Sequence, residues 1–242
     1  MDYSIQLYSV RDVWPHDYKG TLEKLARMGY KQVELYGGMA GPGAENLKKW
    51  MDALGLTMSG THTGADALLP ENLQQTIRDH QTVGCKYLII PGHDLSTKAK
   101  LDSFIELVNK TQPLLEKEGI TLGYHNHSHE FLPNEDGQII YDELRARTQL
   151  ALELDIYWAY NAGQDVPALL DALRPRLIAI HLKDGVMGGE GFPLGRGTAP
   201  VKEAREKAIA FGLPIVVESE TCKPSGLAEA RECIDFLHSL EG

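Results

Sequence analysis

Short apolar runs alternate with longer amphipathic stretches along the chain. Residues 4–10 (Ser-Ile-Gln-Leu-Tyr-Ser-Val) read as a strand. From Asp17, Leu22, Leu25 and Met28 recur at helical spacing until Gly29, a residue type at which helices commonly stop. The alternation continues with a strand over 31–36 carrying Glu34 near its end, a glycine-rich loop over 37–43, and a helix over 44–54 closed by Gly55. A strand over 56–61 follows, with His62 at its tip, then a helix over 70–83 that Pro70 opens and Gly84 ends. After an apolar strand over 87–90, a helical stretch over 97–118 contains Pro113, where a kink or break is expected. Strands over 120–124, 150–155, 177–181 and 214–218 alternate with helices over 141–147, 166–173, 201–211 and 227–240. The loop 185–197 holds six glycines and is expected to be mobile.

Eight strands alternating with eight helices, with no low-complexity linker between them, predict parallel strands wrapped by helices. The fold class is therefore α/β, a single (β/α)8 TIM barrel over residues 1–242 with its active site at the C-terminal mouth of the strands. A doubly wound open sheet is the rival, but no Gly-x-Gly-x-x-Gly follows the first strand to support its dinucleotide-binding version.

The chemistry gathers at strand ends. In residues 119–131 (Gly-Ile-Thr-Leu-Gly-Tyr-His-Asn-His-Ser-His-Glu-Phe) an apolar run leads straight into histidines and a glutamate. Imidazole binds divalent metals and titrates near neutrality. Counting from the glycine that starts the unit, His125 stands where Glu218 stands in Gly212-Leu213-Pro214-Ile215-Val216-Val217-Glu218. Asp155 and His181 are likewise the first polar tips after four mostly apolar residues. The last four strands thus place His125, Asp155, His181 and Glu218 at equivalent depth, and neighbouring strands lie only about 4.8 Å apart. Two imidazoles and two carboxylates at one point form a divalent-metal set. Glu130 competes with His125 for the fifth-strand position, and the register favours His125.

The charge of −10, with no cluster of Lys and Arg, argues against a polyanion such as DNA and for a small-molecule partner. No apolar run approaches about 18 residues and no basic head precedes an apolar core, so neither a membrane span nor a secretory signal is expected. Cys85, Cys222 and Cys233 lack metal-type spacing and read as reduced thiols of a cytoplasmic protein.

Tyr124-His125-Asn126-His127-x-x-Glu130-Phe131, Leu154-Asp155-x-x-Trp158, His181-Leu182-Lys183-Asp184, Val217-Glu218 and the opening Gln6-Leu7-Tyr8-Ser9-Val10-Arg11-Asp12 resemble the xylose isomerase-like sugar phosphate isomerase/epimerase superfamily. The resemblance covers nearly the whole chain. It implies a TIM barrel with one divalent metal held by Glu, Asp, His and Glu of the last four strands. Asp155, His181 and Glu218 match directly, whereas His125 stands where many relatives have glutamate. His127 falls where dehydratase-type relatives place a catalytic histidine.

The activity expected from these residues is that of a metal-dependent sugar isomerase or epimerase working by proton abstraction next to a carbonyl through an enediolate. Mn2+ is favoured among Mn2+, Co2+, Zn2+, Fe2+ and Mg2+. His127 or Glu218 removes the proton, and Glu130 orients His127 or returns the proton on the other side. Glu34, His62, Lys183, Arg196 and Trp158 are the candidate substrate contacts, with Trp14 a further possible sugar platform. The alternatives are a lyase or dehydratase of a keto-sugar, inosose or 3-keto-glycoside on the same metal site, and a metal-free sugar-binding barrel. Homo-oligomers are expected by analogy with similar barrels.

Overall fold

Gly84 shows how each unit turns. At φ +73° it occupies the left-handed region that ends a helix without a Cβ clash, and the chain enters a strand at Tyr87. In the computed structural model, which describes residues 1–241, this pattern closes a barrel of parallel strands. The strands are β1 (Ser4–Gln6), β2 (Gln32–Tyr36), β3 (Thr57–His62), β4 (Tyr87–Ile90), β5 (Thr121–His125), β6 (Ala151–Asp155), β7 (Leu177–Leu182) and β8 (Ile215–Val217). Each pairs with its chain neighbours, and β8 pairs back to β1.

The surrounding helices are α1 (Tyr18–Met28), α2 (Ala44–Leu54), α3 (Pro70–Val83), α4 (Lys98–Lys117), α5 (Ile140–Arg147), α6 (Ile156–Asn161), α7 (Val166–Leu173), α8 (Val201–Phe211) and α9 (Gly226–Ser239). Apolar side chains such as Leu22, Leu25, Phe104, Val108, Leu170 and Ile234 are buried in the layer between strands and helices. Among the described residues no helix is long and apolar enough to cross a membrane.

Several expectations need correction. β1 stops at Gln6, and residues 7–10 form a 3-10 turn instead of more strand. α4 runs through Pro113 without a break. Burial of Val108, Thr111, Gln112 and Leu115 across the proline offsets its lost hydrogen bond, which costs about 3 kcal/mol in a helix interior. α6 was not foreseen; the Asp155 carboxylate caps it by accepting the Trp158 N–H at 2.9 Å.

The loop after β7 is pinned, not loose. It folds into an antiparallel ribbon joining Asp184–Gly185 to Gly191–Phe192. The buried Asp184 carboxylate accepts backbone N–H groups from Gly185, Gly195, Gly197 and Ala199.

The four strand tips expected at equivalent depth are not level. Asp155 lies level with His181, but His125 lies level with Glu153, and His181 with Val216. The tips are therefore staggered in two-residue steps, as strand tilt and shear in a closed barrel require. A two-residue step preserves the inward face, so the side chains still meet.

Candidate metal centre at the barrel mouth

One donor atom each from His125, Asp155, His181 and Glu218 lies within 4.8 Å of the others, and all four residues are buried. Both ring nitrogens of His125 and Oδ2 of Asp155 are buried without a hydrogen-bond partner. His125 Nε2 stands 3.5 Å from Asp155 Oδ2, long for a charge-assisted hydrogen bond but close to the edge, about 3.3 Å, of a tetrahedron built on metal bonds of about 2.0–2.1 Å. Unpaired buried donors carry a large desolvation cost, which a cation between them would relieve. The residues present fit a divalent ion.

Three of the four charge states suit it too, and His181, whose pKa is raised, would give up a proton to the ion. Burial, reinforced by His181 and His62, holds the His125 pKa well below the ordinary histidine value, leaving the neutral imidazole that a metal needs. Burial pushes Asp155 up to about 6, against the pull of Lys183. At Glu218 burial also opposes the charge, but Lys183 and the hydrogen bond to His181 outweigh it and hold its pKa below the usual range.

A deeper shell orients this set. His181 Nε2 donates to Glu34 Oε2 at 2.6 Å, while its Nδ1 faces Glu218 Oε2 at 3.1 Å. Gln6 donates to the same Glu34 oxygen at 2.7 Å. Gly60 makes room for that carboxylate, because a Cβ there would stand 2.6 Å from Glu34 Oε1. His62 Nε2 meets Glu153 Oε2 at 2.7 Å and Glu34 Oε2 at 3.2 Å. His62, His125, Glu153 and His181 also bring donor atoms within 4.8 Å of one another. There His62 Nε2 and Glu153 Oε2 already pair with each other, although Glu153 Oε1 is left without a partner; the outer set is the one whose Glu218 opens onto a cavity. Burial opposes charge on His181 and His62, yet the facing carboxylates raise both pKa values.

At the mouth lies a cavity of about 290 Å³ lined by Tyr8, Tyr36, Gly37, His62, Pro91, His125, His127, Glu218 and Glu220. His127 sits on its wall, ring centroid 5.1 Å from that of His125, and burial pushes its pKa down to about 4. Lys183 is fully buried: its ammonium pairs with Glu220 at 2.6 Å and lies 4.4 Å from the Trp158 ring centroid. Burial works against its charge, but Glu218, Asp155 and Glu220 raise its pKa.

Other candidates fall elsewhere. Glu130 is turned to the outside of the barrel, accepting the Tyr124 hydroxyl at 2.9 Å and the backbone N–H of His127 at 2.7 Å. It therefore positions the His127 backbone, and the fifth-strand side chain that joins Asp155, His181 and Glu218 is His125. Arg196 pairs with Glu232 of α9 at 2.8 Å and does not line the cavity. Trp14 is core, packed edge-on against Tyr18. Trp158 is half-buried beneath Lys183, and the aromatic wall of the cavity is Tyr8 and Tyr36.

Sequence reasoning missed Glu153, Gln6, Glu220, Tyr8 and Tyr36 as members of the site. Glu153 had a signal: two residues before Asp155 on a strand, it must share the inward face. Gln6 and Tyr8 stand in the opening block that carried the resemblance, while Glu220 lies past the last strand, where periodicity is silent.

The closed barrel of eight parallel strands has its counterpart in a family model. Residues 22–240 match the xylose isomerase-like TIM barrel family, and the chain belongs to it. Among solved structures, a sugar phosphate isomerase/epimerase from Parabacteroides distasonis ATCC 8503 is similar at 24% identity and TM-score 0.84, covering 98% of this chain and 97% of that one. The probable 3-DHS dehydratase AsbF, involved in petrobactin synthesis in Bacillus anthracis, is similar at 14% identity and TM-score 0.78, covering 98% and 99%. An L-ribulose 3-epimerase is similar at 16% identity and TM-score 0.72, covering 99% and 94%. At these identities the likeness concerns the fold. No curated protein matches the chain.

Proposed function

We propose that the protein is a divalent-metal-dependent sugar isomerase or epimerase acting on a sugar or polyol ketone. The observation that carries this reading is the group of buried, unpartnered donor atoms on His125 and Asp155, beside His181 and Glu218, under a cavity with room for a single sugar. Those four residues would hold the ion, which when bound supplies Lewis acidity toward a carbonyl–hydroxyl pair, with Mn2+ favoured.

The chain supplies the proton chemistry. His127 is neutral above about pH 4 and faces the cavity, so it can accept the proton α to the carbonyl as the C–H electron pair becomes the enediolate double bond. Glu218, held ionised by Lys183 and His181, offers a second acceptor from β8. Lys183 is fully buried behind the cavity wall, not on it, and keeps the acidic groups charged, while its partner Glu220 lines the cavity and can meet a substrate hydroxyl. His62 and Tyr36 would contact hydroxyl groups. The L-ribulose 3-epimerase and the isomerase/epimerase of the same fold support this class by analogy.

A lyase or dehydratase is the second reading, and the fifth strand favours it. His125 stands where a carboxylate would give matched bases on both faces of the sugar, and Glu130 points away. An unequal pair, His127 and Glu218, suits removal of a proton followed by protonation of a departing oxygen. The test is to incubate the Mn2+-loaded protein in deuterated water with ketoses, inososes and 3-keto-glycosides, followed by mass spectrometry. Deuterium incorporation without a change of formula supports isomerisation or epimerisation, and loss of water or an aglycone supports the lyase. Neither change, with no uptake of a cation, would leave the metal-free sugar-binding barrel.

A further inference from the structure

Another set of donors lies on the loop after β5. His127, His129 and Glu130 each offer an atom within 4.8 Å of the other two. The two imidazoles lie nearly parallel, 21° between planes and 5.9 Å between centroids. His129 Nε2 stands 3.3 Å from Glu130 Oε1. That is longer than the roughly 2.7–2.9 Å of a charge-assisted hydrogen bond, and it matches a tetrahedral edge of about 3.3 Å.

The fold fixes the carboxylate and leaves the imidazoles available. Glu130 is fully buried and held by the Tyr124 hydroxyl on one oxygen and the His127 N–H on the other. Burial raises its pKa, against the pull of His129, so its negative charge is poorly compensated. Nδ1 of His127 is buried without a hydrogen-bond partner. The His129 side chain is 57% exposed, so it can swing toward an ion arriving from solvent.

We propose that His127, His129 and Glu130 form a second, inhibitory cation site that takes Zn2+ or a similar borderline-soft ion. Two imidazoles and a carboxylate with an open fourth position form a zinc donor set, whereas Mg2+ and Ca2+ demand more oxygen donors. Mn2+ binds such nitrogen-rich sites more weakly than Zn2+, so an ion that serves the barrel mouth need not fill this one. A ring nitrogen of His127 bound to zinc cannot accept a proton, so occupancy removes His127 from the reaction. The binding stands independently of the proposed activity; the inhibition rests on it.

The experiment titrates Zn2+ into the Mn2+-loaded full chain, counts bound metal by calorimetry and elemental analysis, and compares wild type with His129→Ala and Asp155→Asn. Wild type is expected to take up one zinc beyond the ion at the mouth. His129→Ala should lose that zinc and keep the mouth ion, and Asp155→Asn should do the reverse. Solvent-deuterium exchange by wild type should fall by up to about 10²-fold in excess zinc, the scale of a lost general base. His129→Ala should keep the wild-type basal rate and resist the inhibition. Equal zinc uptake by wild type and His129→Ala overturns the site, and equal inhibition overturns the role given to His127. If no ketone is turned over, the reading of the mouth fails, while the zinc counts still decide this one.

Discussion

His181 and Glu34 meet across the barrel, from β7 to β2, with Nε2 and Oε2 2.6 Å apart. This contact commits Nε2 to Glu34 and leaves Nδ1, 3.1 Å from Glu218, as the nitrogen that a cation at the mouth would take in place of its proton, the arrangement in which a carboxylate orients a metal-ligating histidine. Glu34→Gln should weaken cation affinity by about 10–100-fold, the usual effect of losing such a partner. A chelator-competition titration measures it, and a change below twofold would contradict the orienting role.

Asp155 divides its work between two oxygens: Oδ1 caps α6 and Oδ2 faces the mouth unpaired. Asn caps a helix about as well as Asp. Asp155→Asn should therefore leave the thermal midpoint of the metal-free protein near wild type while abolishing stoichiometric metal uptake at the mouth. Elemental analysis of protein dialysed against Mn2+ reads this out, and retention of a full equivalent would remove Asp155 from the ligand set.

For His127 the test is kinetic first. His127→Gln should lower turnover by about 10²–10⁴-fold with metal uptake at the mouth unchanged. Loss of metal together with activity would instead make His127 a ligand.

The same residue has a signature in stability. An unfolded histidine takes its proton near pH 6.5, but buried His127 takes one only near 4. Between these values the unfolded chain holds more protons, so this residue makes stability fall as pH drops from about 6.5 toward 4. Asp155, with its pKa raised to about 6, has the opposite sign, because its proton binds the native state more tightly. The difference between wild type and His127→Gln isolates the histidine. With metal chelated, the variant should gain on wild type as pH falls through that window and keep a constant offset above pH 7, as followed by thermal denaturation.

Lys183 and Glu220 form a further testable pair. Removing one partner of a buried ion pair leaves an uncompensated charge. Lys183→Met should be more destabilising than the double variant Lys183→Met/Glu220→Gln, giving a favourable coupling in a double-mutant cycle of urea unfolding. Additive effects would mean that Lys183 is held by its general surroundings and not by Glu220.

The elements most legible in the sequence were those whose ends are punctuated. The bounds Pro70–Val83 and Tyr87–Ile90 follow from Pro70 in a first turn, Gly84 in the left-handed region, and an apolar run of strand length. His125, Asp155, His181 and Glu218 could be grouped because inward parity survives a two-residue stagger, even though equal depth was the wrong geometry. Glu153 escaped notice because one charged residue inside an apolar run looks like a surface position until the strand's period is applied. Glu130 could be tied to His127 but not to the outer side of the barrel until the strand's period is applied: Tyr124 alternates with inward His125, so a carboxylate held by that hydroxyl sits outside. What sequence could not show was which carboxylate meets which imidazole across the barrel, since those partners, such as Glu34 and His181, are 147 residues apart.

Asp184 gives the loop after β7 a different character from a swinging cover. One side chain gathers amides from both ends of the excursion from Gly185 to Ala199, so the segment is clipped like a closed ring. Opening it would mean releasing all those amides together and stranding a buried carboxylate. The ring is braced on α9, with the Leu194 N–H on Cys233 Sγ and Arg196 on Glu232, and none of its residues lines the mouth cavity, so it serves as a fixed buttress of the barrel and not as a cover.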